Sequence, residues 1–463
     1  MRYFQACFLA IALLANAAAM AAESARRPNL IVLMTDDQRF DSSQAYGAPP
    51  MPTPAQDRLG REGAVFRNSF CTTALCAPSR ATLLTGQYSS THGVLNHAKT
   101  SDLRADAPFM PELLRQAGYQ VVFAGKSHLP SALRNRTWDY ITGYIGQGDY
   151  HNPMLFEGVS DPPVRCQGYV DDIMTDRVLG WMDRRDAGKP FALFLWLKAP
   201  HAPREAPARH ANLFTTLDLP LPTTWSDDPL QTWDKPAAFL ESDNRIADQQ
   251  ALAEMRRSYW RCLVQVDENI GRLLDRLDRD GLADNSLVMH TSDNGFLLGE
   301  FNRFDKRVMH EPSIRIPLLM RWPARIPAGT VVQQMVANVD FAPTLIEAAG
   351  LPPDQRMQGH SMLPILTGRQ DNWRDELFYE FYDKTGAHKV PYTRGVRTAR
   401  WKLIEYPETT PVQRELYDLA GDPQERNNRI TDPELDDTRR DLMRRLQRLV
   451  TTGGARVLAP WRD

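Results

Sequence analysis

The chain has 463 residues, about three times the length of a typical domain of ~150 residues. Hydrophobic residues make up 42% of it and charged residues 24%, which excludes a disordered or fibrous protein. With 55 Lys and Arg against 57 Asp and Glu the formal net charge is -2, so overall basicity cannot attract nucleic acid or an anionic membrane. Five cysteines are too few for a disulfide scaffold.

The first residues have the pattern of a cleaved export signal. Arg2 provides a positive charge, residues 8–14 are apolar, and residues 17–22 are small enough for a signal peptidase. The apolar run is too short to span a bilayer, although an uncleaved membrane anchor is the alternative interpretation. The sequence therefore predicts a signal peptide over residues 1–22 and an exported protein, periplasmic or secreted, with no stable membrane insertion after cleavage.

Nearly continuous apolar runs alternate with helix-length segments along the chain. The runs cover residues 29–34, 119–124, 191–197 and 286–290, and the helical segments include residues 111–117, 171–185 and 247–280. Runs without polar alternation are typical of strands that are buried on both faces. This order predicts an α/β fold with a mostly parallel central sheet and helices on both faces.

The texture of the sequence changes near residue 373. Short β-like runs at residues 377–382, 395–397 and 401–406 precede a helical stretch over residues 433–450. We therefore predict a larger domain over residues 23–372 and a smaller C-terminal α+β subdomain over residues 373–463. Within the larger domain, residues 203–243 are rich in proline and polar residues, which predicts a long excursion that lines or covers a crevice.

Chemically versatile side chains follow each of the four apolar runs. In chain order they are Asp36 and Asp37, Lys126 and His128, His201, and Asp293 and Asn294. Ligands of open α/β sheets bind beyond the carboxyl ends of the strands. We therefore expect these groups to meet at one edge of the sheet and to form an active site.

Two adjacent pairs of oxygen ligands stand out in this set. Asp36 with Asp37, and Asp293 with Asn294, suit a hard cation such as Ca²⁺ or Mg²⁺ better than zinc. Either pair alone would be interpreted as helix caps or surface acids. Both pairs at strand ends favour a metal site.

The most specific motif begins at Cys76. Pro78 can start a helix, which puts Cys76 near a positive helix N-terminus; its thiol is then either an activated nucleophile or buried and inert. The segment CAPSR at residues 76–80, followed by LTG at residues 84–86, resembles the signature of the type I sulfatases of the alkaline phosphatase superfamily. The resemblance extends over residues 29–427, nearly the whole mature chain.

This resemblance implies a cofactor chemistry. Cys76 would be converted to Cα-formylglycine by a sulfatase-maturing (formylglycine-generating) enzyme that reads the signature. The hydrated aldehyde would then be the nucleophile. One Ca²⁺ ion would be bound, together with the sulfate, by residue 76 and by Asp36, Asp37, Asp293 and Asn294.

Three further segments match the family: GKSH at residues 125–128, PHAP at residues 200–203, and the lysine ahead of EPSIRIPL at residues 311–318. The implied catalytic residues are Cys76, Arg80, Lys126, His128, His201 and Lys306. In this scheme Arg80 and the metal favour the ionised nucleophile, and the two lysines neutralise charge on the sulfuryl oxygens. By resemblance, His201 with Lys306 protonates the departing alcohol and His128 accepts the proton that releases sulfate.

The substrate prediction rests on three residues. His310 stands where many relatives have tyrosine, while His388 and Arg397 lie in segments (residues 386–388 and 395–398) that resemble secreted glycan sulfatases acting on N-acetylglucosamine-6-sulfate in glycosaminoglycans. A sulfated carbohydrate is therefore the expected partner, with these residues as candidate substrate contacts. Packing of His310, and pairing of Arg397 with a nearby acid, are the alternatives.

Other functions fit the same superfamily. A phosphonate or phosphate monoester hydrolase and a sulfamidase are the enzymatic alternatives, and an inactive glycan-binding homologue is the alternative from another class. The retained metal ligands, lysines and Cys76 disfavour an inactive protein. No nucleic-acid partner is expected.

Overall fold

The computed structural model describes residues 27–47, 51–97, 102–129, 133, 135–217, 219–228, 231–369, 373–383 and 389–452. The predicted signal peptide, residues 1–22, and the predicted substrate residue His388 lie outside these ranges. No helix in the described part of the chain is both long and apolar enough to cross a membrane.

The strands are β1 (Asn29–Thr35), β2 (Ala64–Phe70), β3 (Gln120–Lys126), β4 (Tyr140–Tyr144), β5 (Met154–Glu157), β6 (Val164–Arg165), β7 (Phe191–Trp196), β8 (Ser286–Ser292), β9 (Leu297–Leu298), β10 (Phe304–Asp305), β11 (Leu318–Arg321), β12 (Thr330–Ala337), β13 (Glu376–Phe381), β14 (Thr393–Thr398), β15 (Trp401–Tyr406) and β16 (Gln413–Asp418). The α-helices are α1 (Pro54–Glu62), α2 (Cys76–Thr85), α3 (Ser89–His92), α4 (Met110–Gln116), α5 (Val170–Met182), α6 (Ala237–Leu240), α7 (Gln249–Arg279), α8 (Glu311–Ile314), α9 (Phe341–Ala348), α10 (Leu363–Leu366) and α11 (Asp436–Thr452).

The larger sheet has ten strands in the order β12-β2-β11-β8-β1-β7-β3-β4-β5-β6. Its central strands, from β8 to β4, run parallel to one another, and β12 is parallel to β2. Among the strands that the structure describes, antiparallel pairing in this sheet involves β11, β5 and β6. The predicted α/β fold with a mostly parallel central sheet is therefore confirmed.

Both faces of this sheet are covered by helices. Alternate residues of β1 enter two different hydrophobic clusters, Leu30 and Val32 in one and Ile31 and Leu33 in the other. The first cluster includes apolar residues of α2 and α9, and the second includes those of α5 and α7. Because no face of the strand meets water, every position needs an apolar side chain, which explains the uninterrupted run in the sequence.

The C-terminal part forms a separate antiparallel sheet in the order β13-β14-β15-β16. Leu442 and Leu446 of α11 pack on Phe378 and Leu403 of this sheet. The predicted α+β subdomain is confirmed, although α11 begins at Asp436 after a short 3₁₀ turn rather than at residue 433. The boundary at residue 373 stays a prediction.

The carboxyl ends of β1, β3, β7 and β8 lie side by side in the sheet. They end at Thr35, Lys126, Trp196 and Ser292, next to the polar residues that the sequence singles out. Lys126 is thus the last residue of β3, because this strand continues two residues past the predicted end. The sequence does not predict β2, β4, β5, β6, β11 and β12 of this sheet, whose apolar runs are short or interrupted by polar residues.

Candidate active site

Cys76 opens α2 at the centre of the site. The side chain is completely buried, with Sγ 3.3 Å from Oδ1 of Asp36 and 3.2 Å from Nζ of Lys306. Burial and the neighbouring Asp36 raise the pKa of the Cys76 thiol to about 12, although Lys306 acts in the opposite direction. The thiol that the sequence encodes is therefore protonated at neutral pH and is not an activated thiolate.

Three carboxylates converge beside Cys76. Asp36, Asp37 and Asp293 each place an oxygen within 4.8 Å of the others. Asn294 donates from Nδ2 to Oδ1 of Asp37 over 2.7 Å, while its own Oδ1 is buried without a hydrogen-bond partner among the described residues. Oxygen donors alone, with an unsatisfied amide oxygen among them, fit a hard cation such as Ca²⁺.

Three buried cations face these carboxylates. Arg80 Nη2 lies 2.8 Å from Oδ2 of Asp293 and 3.1 Å from Oδ2 of Asp36. Lys126 pairs with Asp36, and Lys306 Nζ lies 2.5 Å from Oδ1 of Asp37. Exposure of the three side chains does not exceed 3%.

The pKa values of the carboxyl groups reflect the balance between burial and these cations. Burial disfavours the ionised form of Asp36, but Lys126, His201 and Arg80 outweigh it and hold the pKa well below its ordinary value. For Asp293, burial and the charge of Asp36 raise the pKa to about 6. Close packing of like charges therefore leaves one of the carboxyl groups easier to protonate than the others, which a bound cation would reverse.

Two predicted histidines lie on the more open side of Cys76. His201 Nε2 is 3.9 Å from Oδ2 of Asp37, and His128 has a left-handed backbone with φ 56°. Burial, followed by the positive charge of Lys126, lowers the pKa of both imidazoles, that of His201 to about 3. Both rings are thus neutral at physiological pH.

The sequence analysis missed His97. Its ring stacks on that of His128, with centroids 4.2 Å apart and an angle of 23° between the ring planes. One ring nitrogen of each histidine and Sγ of Cys76 lie within 4.8 Å of one another. His97 follows no buried strand and belongs to no motif, so no sequence signal marks it.

Gln147 and Lys198 were not predicted from the sequence either. They lie around the cluster and form hydrogen bonds next to it. Lys126 Nζ donates to Oε1 of Gln147 over 2.6 Å, and Lys198 Nζ donates to the backbone oxygen of Gln147 over 2.7 Å. The hydroxyl of Tyr150 donates to the backbone oxygen of His201 over 2.5 Å. The segment between β4 and β5 therefore contacts residues from the ends of both β3 and β7.

The predicted substrate residues do not join this cluster. His310 has no exposed surface; its Nε2 lies 2.9 Å from Nζ of Lys235 and 3.4 Å from Oε2 of Glu415. Arg397 forms a buried pair with Glu311, with Nε 3.0 Å from Oε1. Both residues connect the C-terminal sheet to the larger domain, as in the alternatives of packing for His310 and of pairing with an acid for Arg397. A substrate contact by either residue stays a prediction. His388 lies outside the described residues.

All of the predicted catalytic and metal-binding residues belong to one cluster at the carboxyl edge of the sheet. They are Asp36, Asp37, Cys76, Arg80, Lys126, His128, His201, Asp293, Asn294 and Lys306. A buried nucleophile position, three carboxylates and three cations can hold a metal ion together with a small oxyanion. The individual roles stay predictions.

Comparisons with known proteins agree with this geometry. The sulfatase family model matches residues 28–351, and the model for the C-terminal region of N-sulphoglucosamine sulphohydrolase matches residues 299–452. The chain is 33% identical to an N-acetylglucosamine-6-O-sulfatase of Bacteroides thetaiotaomicron, covering 95% of this chain and 89% of that protein. It is 29% identical to human N-acetylglucosamine-6-sulfatase, over 78% of this chain and 68% of the human protein.

Solved structures show the same fold. The protein BT4656, in complex with its substrate D-glucosamine-2-N,6-O-disulfate, superposes with a TM-score of 0.87 at 30% identity, covering 94% of this chain and 100% of that one. A phosphonate monoester hydrolase of Agrobacterium radiobacter, 24% identical over 92% of this chain and 96% of its own, shares the fold with a TM-score of 0.75. The chain belongs to the sulfatase family of the alkaline phosphatase superfamily, and it is a sulfuric ester hydrolase.

Proposed function

We propose that this sulfatase is an exported enzyme that removes the 6-O-sulfate of N-acetylglucosamine or a related glucosamine in glycosaminoglycan fragments, using formylglycine at position 76 and one Ca²⁺ ion. The observation that carries the proposal is the position of Cys76, between Lys306 and Asp36 beside three converging carboxylates. The substrate class is inferred from the relatives, since N-acetylglucosamine-6-sulfatases match most of the chain.

The charges of the site match a sulfate ester. A Ca²⁺ ion held by Asp36, Asp37, Asp293 and Asn294 would supply positive charge beside the sulfate and favour the ionised hydroxyl of the hydrated formylglycine. With the carboxylates holding the ion, Arg80, Lys126 and Lys306, which pair with these carboxylates, would be available to the sulfuryl oxygens. Fixed cations in a buried site stabilise the charge that spreads over these oxygens as the ester bond breaks.

Proton transfer falls to residues on either side of position 76. His201 and Lys306 both lie beside Asp37. Lys306 carries a proton that it can deliver to the departing sugar oxygen, whereas His201 is neutral in the free enzyme and could act as the acid only where the negative charge of the bound sulfate raises its pKa. His128 lies on the side of His97 and can accept the proton whose removal releases sulfate and regenerates the aldehyde. Water is excluded from the inner half of the site, because Asp36, Arg80 and Lys126 have no exposed surface.

The maturing enzyme needs access to a motif that the fold hides. Residues 76–80 form the first half of α2, and each of them is buried. Oxidation of Cys76 by another protein is therefore expected before α2 packs into the larger sheet, on the unfolded or nascent chain. An exported protein passes through such a state during translocation, and maturation in that window fits a chain with a signal peptide.

A substrate screen tests the activity. Purified enzyme is assayed on N-acetylglucosamine-6-sulfate, N-sulfated glucosamine, 4-nitrophenyl sulfate and 4-nitrophenyl phosphate, with Cys76→Ala as the inactive control. We expect the 6-O-sulfated sugar to be hydrolysed with the highest kcat/KM. Faster hydrolysis of the phosphate would favour a phosphate or phosphonate monoesterase, and faster loss of N-sulfate would favour a sulfamidase.

Mass spectrometry of protein from the native host tests the modification and the export together. The peptide containing residue 76 is expected at the mass of formylglycine. The variants Arg80→Lys and Arg80→Ala check that conversion depends on the motif. The mature N-terminus is expected after residue 22, in the periplasmic or secreted fraction. An unmodified Cys76 in fully active enzyme would contradict the proposed nucleophile.

A further inference from the structure

Exposure increases in one direction across the active site. Cys76, Asp36, Arg80 and Lys126 have no exposed surface, His128 is half-buried, and His97 is exposed. His201, which is also half-buried, places a ring nitrogen within 4.8 Å of Sγ of Cys76 as well, so the crevice opens along the three histidines. A sulfate ester whose sulfur faces residue 76 directs its alcohol half along these histidines, and His97 is the most exposed of them.

The distances place His97 beside that path. In a productive complex the reacting atoms approach to about 3–3.5 Å, so the oxygens bonded to sulfur lie around the position of the Cys76 side chain. A ring nitrogen of His97 lies within 4.8 Å of Sγ of Cys76. It can therefore reach a sugar hydroxyl close to the carbon that bears the sulfate, without entering the buried cluster of cations.

We propose that His97 is a specificity-determining residue that hydrogen-bonds the sugar carrying the sulfate at the mouth of the crevice. The inference rests on the proposed function, because it assumes that the alcohol released is a sugar. The stacked ring of His128 supports one face of His97 and fixes its orientation. One of its ring nitrogens lies within 4.8 Å of Sγ of Cys76, and imidazole can both donate to and accept from sugar hydroxyls.

Paired substrates separate this role from a role in the chemistry. The enzyme is assayed on the sulfated monosaccharide that the wild type hydrolyses fastest and on 4-nitrophenyl sulfate, whose alcohol has no neighbouring hydroxyl. We expect His97→Ala to lower kcat/KM on the sugar by about tenfold, the effect of one lost hydrogen bond of about 1.4 kcal/mol. On the aryl sulfate the loss should stay below about twofold.

Two further variants separate hydrogen bonding from ring stacking. His97→Phe keeps a ring that can stack on His128 but lacks nitrogen atoms, and we expect it to behave like His97→Ala. His97→Gln lacks the ring but keeps polar atoms, and we expect it to restore part of the activity on the sugar. Restoration by Phe but not by Gln would overturn the proposal, because it would make His97 a support for His128.

Binding and controls complete the test. In a Cys76→Ala background, which cannot turn over, His97→Ala should weaken binding of the sulfated sugar about tenfold and leave binding of inorganic sulfate unchanged. The matched control is His360→Ala, an exposed histidine that contacts Arg374. Equal losses on both substrates, or no loss on either, would refute a contact with the sugar. A wild type that hydrolyses neither substrate would instead refute the proposed function.

Discussion

Nζ of Lys306 lies 3.2 Å from Sγ of Cys76, although the two residues are 230 positions apart in the chain. Lys306 directly follows β10 and Cys76 is the first residue of α2. The same ammonium group lies 2.5 Å from Oδ1 of Asp37. One positive charge therefore contacts both the side chain proposed as nucleophile and a carboxylate proposed as metal ligand, which makes Lys306 sensitive to the occupancy of the metal site.

Removing this charge is expected to slow catalysis more than it weakens the fold. We predict that Lys306→Ala lowers kcat by about 10²–10³, the effect of losing one fixed donor to transition-state charge. Steady-state kinetics on both an aryl sulfate and a sulfated sugar would measure it. Lys189→Ala, at a lysine whose side chain is 57% exposed, is the control. A loss below fivefold would show that Lys306 does not face the sulfuryl group.

A bound cation is expected to stabilise the protein as well as to activate it. Without one, Asp36, Asp37 and Asp293 place like charges within 4.8 Å of one another. Calcium at 100 times its Kd should add about 2.7 kcal/mol to the free energy of unfolding, and chelation should lower Tm and activity together. Thermal melting against calcium concentration measures this effect.

The matched variants for that experiment are Asp37→Asn and Asp275→Asn, the second at a carboxylate that is 76% exposed. Only Asp37→Asn should abolish the calcium-dependent rise in Tm. Zinc should not replace calcium, because the ligands are oxygens. If neither Tm nor the rate changed on adding calcium or a chelator, the proposed metal site would be contradicted.

Gln147 is expected to act on the chemistry rather than on sugar recognition. It accepts a 2.6 Å hydrogen bond from Nζ of Lys126, which fixes the direction of that ammonium group. We predict that Gln147→Ala lowers kcat about fivefold on the sugar and on the aryl sulfate alike, corresponding to about 1 kcal/mol of lost positioning. Gln249→Ala, an exposed glutamine paired with Asp227, should change neither. Selective loss on the sugar would place Gln147 in substrate recognition instead.

The inner half of the site can be predicted from the sequence because its residues lie at the ends of strands. Asp36, Lys126, His201 and Asp293 each follow or end a recognisable buried run, and parallel strands must bring such ends together. His97 lies between helices in a segment without periodicity, so only the folded chain reveals its contact with His128. The rim of the crevice is therefore less predictable than its floor.

The buried contacts of the predicted substrate residues are hidden from the sequence for a different physical reason. His310 and Arg397 are polar residues in segments that match a family, and nothing in their local sequence tells a ligand contact from a buried ion pair. Only the residues that pack against His310 distinguish the two cases. Lys235 and Glu415, which contact it, lie 75 and 105 positions away in the chain. Complementary charges at such separations leave no local pattern.

A substitution of Arg397 tests whether this residue stabilises the fold or contacts the substrate. Its guanidinium pairs with both carboxylate oxygens of Glu311, while Nζ of Lys402 lies 2.8 Å from the same carboxylate. Removing one partner of a buried ion pair costs about 3–5 kcal/mol; with Lys402 retained, we predict about 3 kcal/mol for Arg397→Met, measured by urea denaturation. KM should not change. Arg400→Met, at an arginine that is 61% exposed and paired with Asp418, is the control; a higher KM at unchanged stability would restore the substrate role.

His290 introduces a buried ionisable group into the centre of the larger sheet. It lies in β8 with no exposed surface, and burial lowers its pKa from 6.5 to about 4. At a pH between these two values His290 is protonated in the unfolded chain but neutral in the folded protein. The stability that His290 contributes is therefore present above pH 6.5, falls as the pH falls through this window, and is lost below about pH 4.

The size of that loss can be isolated by comparison with a variant. Lowering the pKa of His290 from 6.5 to about 4 corresponds to roughly 3 kcal/mol. We predict that the free energy of unfolding of His290→Leu falls less steeply than that of the wild type between pH 6.5 and 4, as measured by urea denaturation at several pH values. Above pH 6.5 the two curves should differ by a constant packing term. The exposed His360→Leu should parallel the wild type throughout. Parallel curves for His290→Leu would mean that this imidazole is protonated as readily in the folded protein as in the unfolded chain.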